Sequence, residues 1–185
     1  MTGRTNNSES DPSHTWKLGY FLSFLVGIVL MYFEIGIYRV TMIRIEIPIA
    51  ILLFVGLTAF IIGRSHYKKN YSVHGIFFPL MQSIVSCGFT ACYLFMAANY
   101  YLADKEVRDS SFQIESKSSM PGPKGKRDKS EPLVIIDYLG LKKELVFKFM
   151  DTERVENADR VNVVVRKGLL GFDILDYYDV VASEE

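Results

Sequence analysis

Gly75–Leu102, GIFFPLMQSIVSCGFTACYLFMAANYYL, contains no Lys, Arg, Asp or Glu, and neither do Leu18–Phe33, LGYFLSFLVGIVLMYF, or Ile47–Ile62, IPIAILLFVGLTAFII. A helix rises about 1.5 Å per residue, so roughly 17 to 25 apolar residues cross a hydrocarbon layer about 30 Å thick. The three runs therefore predict three transmembrane helices, with spans at about 18–33, 47–62 and 75–102. The charged remainder predicts a water-facing domain. The expected organisation is a polar, disordered lead-in over 1–15, a three-helix domain over 16–103 and a β-rich domain over 104–185.

The charge distribution follows this division. Glu9, Asp11, Glu34 and Glu46 are the only acids before Asp104. From Asp104 onward, fourteen Lys and Arg face seventeen Asp and Glu, a net charge of −3. Such a tail lacks the basic field of a nucleic-acid binder. Met1–Thr15 is polar and lacks the charged start and short apolar core of a cleaved signal. Trp16, Lys17 and Tyr20 suit one membrane border, and Tyr32 and Phe33 suit the other.

The connections read as border segments. Glu34–Glu46, EIGIYRVTMIRIE, has no clean amphipathic period and is expected to be an interfacial turn. Pro48 opens the second span, where its missing amide hydrogen costs little. Gly63–His74, GRSHYKKNYSVH, carries Arg64, Lys68 and Lys69 without an acid and reads as a loop facing headgroups. His66 and His74 have no Cys, Asp or Glu nearby to complete a metal site.

The third run has the least purely apolar interior. Gln82, Ser86 and Thr90 recur at helical spacing, and Ser83, Cys87 and Ala91 form a second ladder beside them. Small residues let helix backbones approach closely, and a Gln amide in lipid needs a protein partner. Ser23 and Gly27 in the first run, with Gly56, Ala59 and Gly63 in the second, offer matching shallow surfaces. Cys87 and Cys92 point to different sides of the helix and read as packing residues. Pro79 is expected to kink the helix or end its first turn.

Past Tyr100 and Tyr101 the pattern turns to alternation, the period of strands. Phe112 and Ile114 mark a first strand. A flexible loop over 116–131 then carries Lys124, Lys126, Arg127 and Lys129, a basic cluster suited to anionic headgroups or a protein partner. Leu133–Tyr138 and Lys143–Phe149 read as a hairpin turning at Leu139 and Gly140. Leu145, Phe147 and Phe149 share its dry face. Asp151 is placed to cap a helical turn over Thr152–Ala158. Val161, Val163 and Val165 line another dry face. Gly168 and Gly171 flank a turn before a last strand near Phe172. The fold class is thus α+β: three transmembrane helices followed by a small antiparallel β domain, either a sandwich or an open barrel.

Asp173, Asp176 and Asp179 are a recurrent acidic set, but they lack the glycine-containing loop and further oxygen ligands of a calcium site. The tail has no His or Cys, and its serines have no visible base, so no nucleophilic arrangement is expected. The reading is a non-enzymatic multi-pass membrane protein without a cofactor or metal. Its expected partners are the lipid bilayer and other membrane subunits, or a second copy of itself, acting as an accessory, scaffold or assembly subunit. An envelope-ligand or headgroup sensor is the alternative, and part of an oligomeric transporter a third. Basic residues near the span ends predict a cytoplasmic N-terminus and a β domain outside the cytoplasm, and the compact, prokaryote-like layout makes a bacterial inner membrane the expected setting.

Overall fold

The computed structural model describes residues 12–71, 75–121 and 130–182. Three long helices come first: Pro12–Val40, Glu46–Tyr71 and Phe77–Tyr101. Each contains a stretch long and apolar enough to cross a membrane. The chain divides into two compact units. One holds residues 1–35 and 45–95, and the other holds 36–44 and 96–185.

Helix ends depart from the apolar boundaries. Glu34–Val40, expected within an interfacial turn, continues the first helix, so only residues 41–45 separate it from the second. The segment EIGIYRV contains no proline, and Arg39 sits in the last turn, where a cation complements exposed carbonyls. Thr41 Oγ1 donates to the Ile37 carbonyl at 2.8 Å and caps that end. The basic segment after Gly63 is likewise helical through Tyr71. Apolarity sets where a helix can enter lipid, whereas backbone hydrogen bonding carries it past that limit until a breaker intervenes.

The third helix is regular except at Ile84–Gly88, where one turn is a π-helix. Pro79, expected to kink or end the first turn, lies in that turn without ending the helix. There its missing amide hydrogen removes no intrahelical bond.

The second unit is built on one curled antiparallel sheet, a half-barrel, in the order β3-β2-β1-β4-β5. Its strands are β1 (Val107–Met120), β2 (Glu131–Tyr138), β3 (Leu141–Val146), β4 (Ala158–Lys167) and β5 (Asp173–Ala182). β1 extends well past Ile114 and occupies the start of the expected 116–131 loop. Pairing of Lys117 through Met120 with β2 overrides the polar composition of that stretch.

Both turn residues of the β2–β3 hairpin have positive φ, 53° at Leu139 and 84° at Gly140, as a two-residue turn matching the strand twist requires. The β3-to-β4 crossover carries a 3-10 turn, Phe149–Asp151, and a short helix, Thr152–Glu156. Asp151 occupies the cap position but makes no side-chain cap bond. Its carboxylate pairs instead with Arg154 at 3.5 Å. Phe149, expected beside Leu145 and Phe147 on the dry face, is exposed because the chain has left the sheet by then.

Period-two alternation places Val134, Ile136 and Tyr138 of β2 inside the curl with Val161, Val163 and Val165 of β4. Leu145, Phe147, Val155, Leu175 and Val180 join them. Met42, from the short connection between the first two helices, completes this core. Tyr178 Oη donates to the Val146 carbonyl at 2.6 Å, bringing the edge strands β5 and β3 together at that end.

Candidate functional site

In the helical unit, glycine permits the closest approaches. A Cβ on Gly27 would overlap the Val85 carbonyl, and one on Gly56 would stand 2.9 Å from Ile84 Cγ1. Gly88, which has no role in the sequence reading, faces the Leu52 carbonyl, 2.7 Å from where its Cβ would be. The π turn thus lies against the first helix at Gly27 and the second at Gly56 and Leu52. Nothing lies within 4 Å of the Cβ position of Gly63.

Gln82 Nε2 donates to the Tyr20 carbonyl at 2.7 Å and to Ser23 Oγ at 3.2 Å. The hydroxyl ladders behave differently. Ser83 Oγ bonds the Pro79 carbonyl, Ser86 Oγ the Gln82 carbonyl and Thr90 Oγ1 the Ser86 carbonyl, all four residues back along the same helix. Ala59 and Ala91 are half-buried, and Cys87 is exposed.

The structure adds an acid to this unit. Glu34 lies within the apolar stretch Thr15–Val40, and Cys92 Sγ donates to its Oε1 at 2.9 Å. The same thiol lies 3.5 Å from the Pro48 carbonyl. Glu34 Oε2 is buried and has no hydrogen-bond partner. Ionisable groups in apolar spans are costly and concentrate at functional positions. Glu34 directly follows Phe33, so an apolar-run boundary excludes it, whereas helix continuity brings it in.

In the second unit the polar side chains have separate partners. Tyr138 Oη donates to Asp173 Oδ2 at 2.8 Å, Arg166 Nε to Asp176 Oδ1 at 2.9 Å, and Arg154 Nη2 to both Asp179 oxygens at 3.0 and 3.1 Å. The three aspartates, a possible constellation in the sequence, are thus divided among three sites. A bulge at Asp176, between the Val164–Tyr177 and Val165–Leu175 pairs, shifts the alternation of β5. Among the described residues, no three His, Cys, Asp or Glu side chains gather as a metal site.

Two attachments join the sheet to the helix ends of its own unit. Lys143 Nζ donates to the Thr41 carbonyl at 3.0 Å and lies 5.8 Å from the centre of the Tyr38 ring. Burial pushes the Lys143 amine below its usual value. Thr41 also bridges Ile174, and the Met42 amide donates to the Asp173 carbonyl at 2.7 Å.

The second attachment centres on Asn99, fully buried in the last turns of the third helix. Its Nδ2 donates to the Phe172 carbonyl and its Oδ1 accepts from the Leu170 amide, each at 3.0 Å. Gly168 lies so close that a Cβ would overlap the Asn99 amide. No sequence pattern singles out Asn99, because its partners are backbone groups about seventy positions away. Lys124, Lys126, Arg127 and Lys129 lie outside the described residues. No protein-family model matches the chain, and no curated protein or solved structure matches it significantly.

Proposed function

We propose that the chain is a multi-pass membrane protein acting as a non-catalytic accessory, scaffold or assembly subunit. The observation that carries this reading is the contrast between a few close helix contacts and the apolar surface they leave uncovered. At most 17% of the apolar window of any of the three helices is buried. Phe54 and Ile62 remain 73% and 79% exposed. Lipid satisfies such surface, and a partner helix can cover part of it through packing. The pairing of Asp173, Asp176, Asp179 and Lys143 with structural partners supports a non-catalytic role for the β domain.

Purification in mild detergent tests the proposal. A stable co-purifying membrane subunit or homo-oligomer is expected, and a strictly monomeric particle without a partner argues against it. The proposed setting is a bacterial inner membrane, with the N-terminus cytoplasmic and the β domain outside. A cysteine at Ser130, in a background with Cys87 and Cys92 changed to Ala, should react with an impermeant maleimide in intact spheroplasts. Labelling only after membrane rupture reverses the topology.

Glu34 favours a second reading, a component of an oligomeric transporter. Its carboxyl lies toward the C-terminal end of an apolar helix, with Oε2 buried and without a hydrogen-bond partner. Proteoliposome flux abolished by Glu34→Gln would support that role, and absence of flux in the parent protein would remove it.

A further inference from the structure

Strand directions bring two hairpin tips to one end of the half-barrel. β1 leaves the third helix, so β2 and β4 run back toward that helix and β3 and β5 run away from it. The β2–β3 and β4–β5 turns therefore both point toward the end bearing Asn99 and Thr41, β2 meeting β1 over Ile114–Met120 and β4 meeting it over Val107–Gln113. Both tips carry leucine. Leu139 is 82% exposed, and Leu169 and Leu170 are 56% and 42% exposed.

These positions are unusual places for leucine. Leu139 has a φ of 53°, a left-handed conformation that asparagine or glycine adopts more readily. Leu169 and Leu170 form a turn whose backbone, rather than its side chains, is tied down. The Leu169 amide faces the Asn99 carbonyl at 3.4 Å, and the Leu170 amide bonds Asn99 Oδ1. Their side chains are left outside the sheet core. Asn99 itself lies inside the apolar stretch Phe77–Tyr101, whose terminal Tyr101 is 67% exposed and is followed by Leu102 at 62%. The clamp thus holds a leucine turn against the last turns of an apolar helix that ends on an exposed aromatic residue suited to a bilayer boundary.

We propose that the two tips are lipid-binding anchors: Leu139, Leu169 and Leu170 enter the boundary between headgroups and acyl chains and seat the helix-side end of the half-barrel on the bilayer. The ligand is the bilayer's apolar margin. This proposal rests on the membrane reading and adds a second, reversible attachment to the one made by the helices. Apolar side chains at strained or polar turns gain from burial in that margin, whereas in water they gain nothing.

Tryptophan scanning in vesicles of brominated phosphatidylcholine tests both levels. Trp16 is the chain's single tryptophan, and its quenching in the parent protein reports whether the first helix enters the bilayer. In a Trp16→Phe background, Leu139→Trp and Leu169→Trp should be blue-shifted and lose most of their emission. Met150→Trp should not; Met150 is 86% exposed on the crossover at the opposite end of the sheet. Nitroxides at the same three positions, on cysteines introduced after removing Cys87 and Cys92, should give the same ranking by oxygen against nickel-chelate accessibility. Absence of Trp16 quenching overturns the membrane reading. With Trp16 quenched, a tip residue as unquenched as Met150, or a Met150 site as quenched as the tips, overturns the anchors alone.

Discussion

Asn99 on the third helix donates from Nδ2 to the Phe172 carbonyl at 3.0 Å, tying one side chain to the start of β5. Its Oδ1 accepts from the Leu170 amide, so truncation orphans groups at both ends of the turn. Asn99→Ala should destabilise the second unit by about 1–3 kcal/mol, the usual cost of unsatisfied buried polar groups. Hydrogen exchange at the Leu170 amide should rise well before exchange in the centre of β4. Gly168→Ala should have a similar effect, because its Cβ would overlap the same amide.

Glycine contacts should matter more than the Gln82 hydrogen bonds in the helical unit. Gly27→Val forces a branched side chain onto the Val85 backbone and should cost about 1–3 kcal/mol, in the range of overpacked cores. Gln82→Ala removes the bonds to Tyr20 and Ser23 and should cost about 0.6 kcal/mol, at most about 1.7. Gly63→Ala meets nothing within 4 Å and should be close to neutral. Unfolding of detergent-solubilised protein by SDS titration ranks the three. A Gln82→Ala effect exceeding that of Gly27→Val would reverse this assignment.

The alkaline limb of stability should report the sheet's buried tyrosines. Burial and the bond to Asp173 raise Tyr138 above the ordinary value of 10.0, and burial raises Tyr178. Both keep their protons longer in the folded state, so the stability they contribute is complete below pH 10.0 and is lost as pH rises through the folded values. Lys143 works in the opposite sense. Burial lowers it from 10.5, so its charging penalty is relieved as pH rises from its folded value toward 10.5. Stability measured by denaturation across this range should fall less steeply in Tyr138→Phe and more steeply in Lys143→Met than in the parent. Tyrosinate absorbance of the parent should show late-ionising tyrosines that unfolding releases.

The two thiols should separate by accessibility. Cys87 is exposed on the third helix, while Cys92 is fully buried with its Sγ on Glu34. N-ethylmaleimide in detergent should label Cys87 first and reach Cys92 only on unfolding. Glu34→Ala should open Cys92 to the reagent, as peptide mass spectrometry would show. Equal rates at both thiols in the parent protein would contradict the packing around Cys92.

Local patterning alone determined the long apolar runs, the alternating strands and the turn at Leu139 and Gly140, because helix entry into an apolar phase and strand periodicity depend on near neighbours. The dry residues Val161, Val163 and Val165 were legible for the same reason. Tertiary structure decided what those elements meet. Continuation of the first helix past Phe33 placed Glu34 against Cys92, and the curl of one sheet excluded a sandwich. The bulge at Asp176 and separate basic or hydroxyl partners dispersed an acidic set that looks continuous in one dimension. Asn99 and Gly88 acquired their roles from backbone groups distant in sequence. Such partners are chosen by packing in three dimensions and leave no periodic trace along the chain.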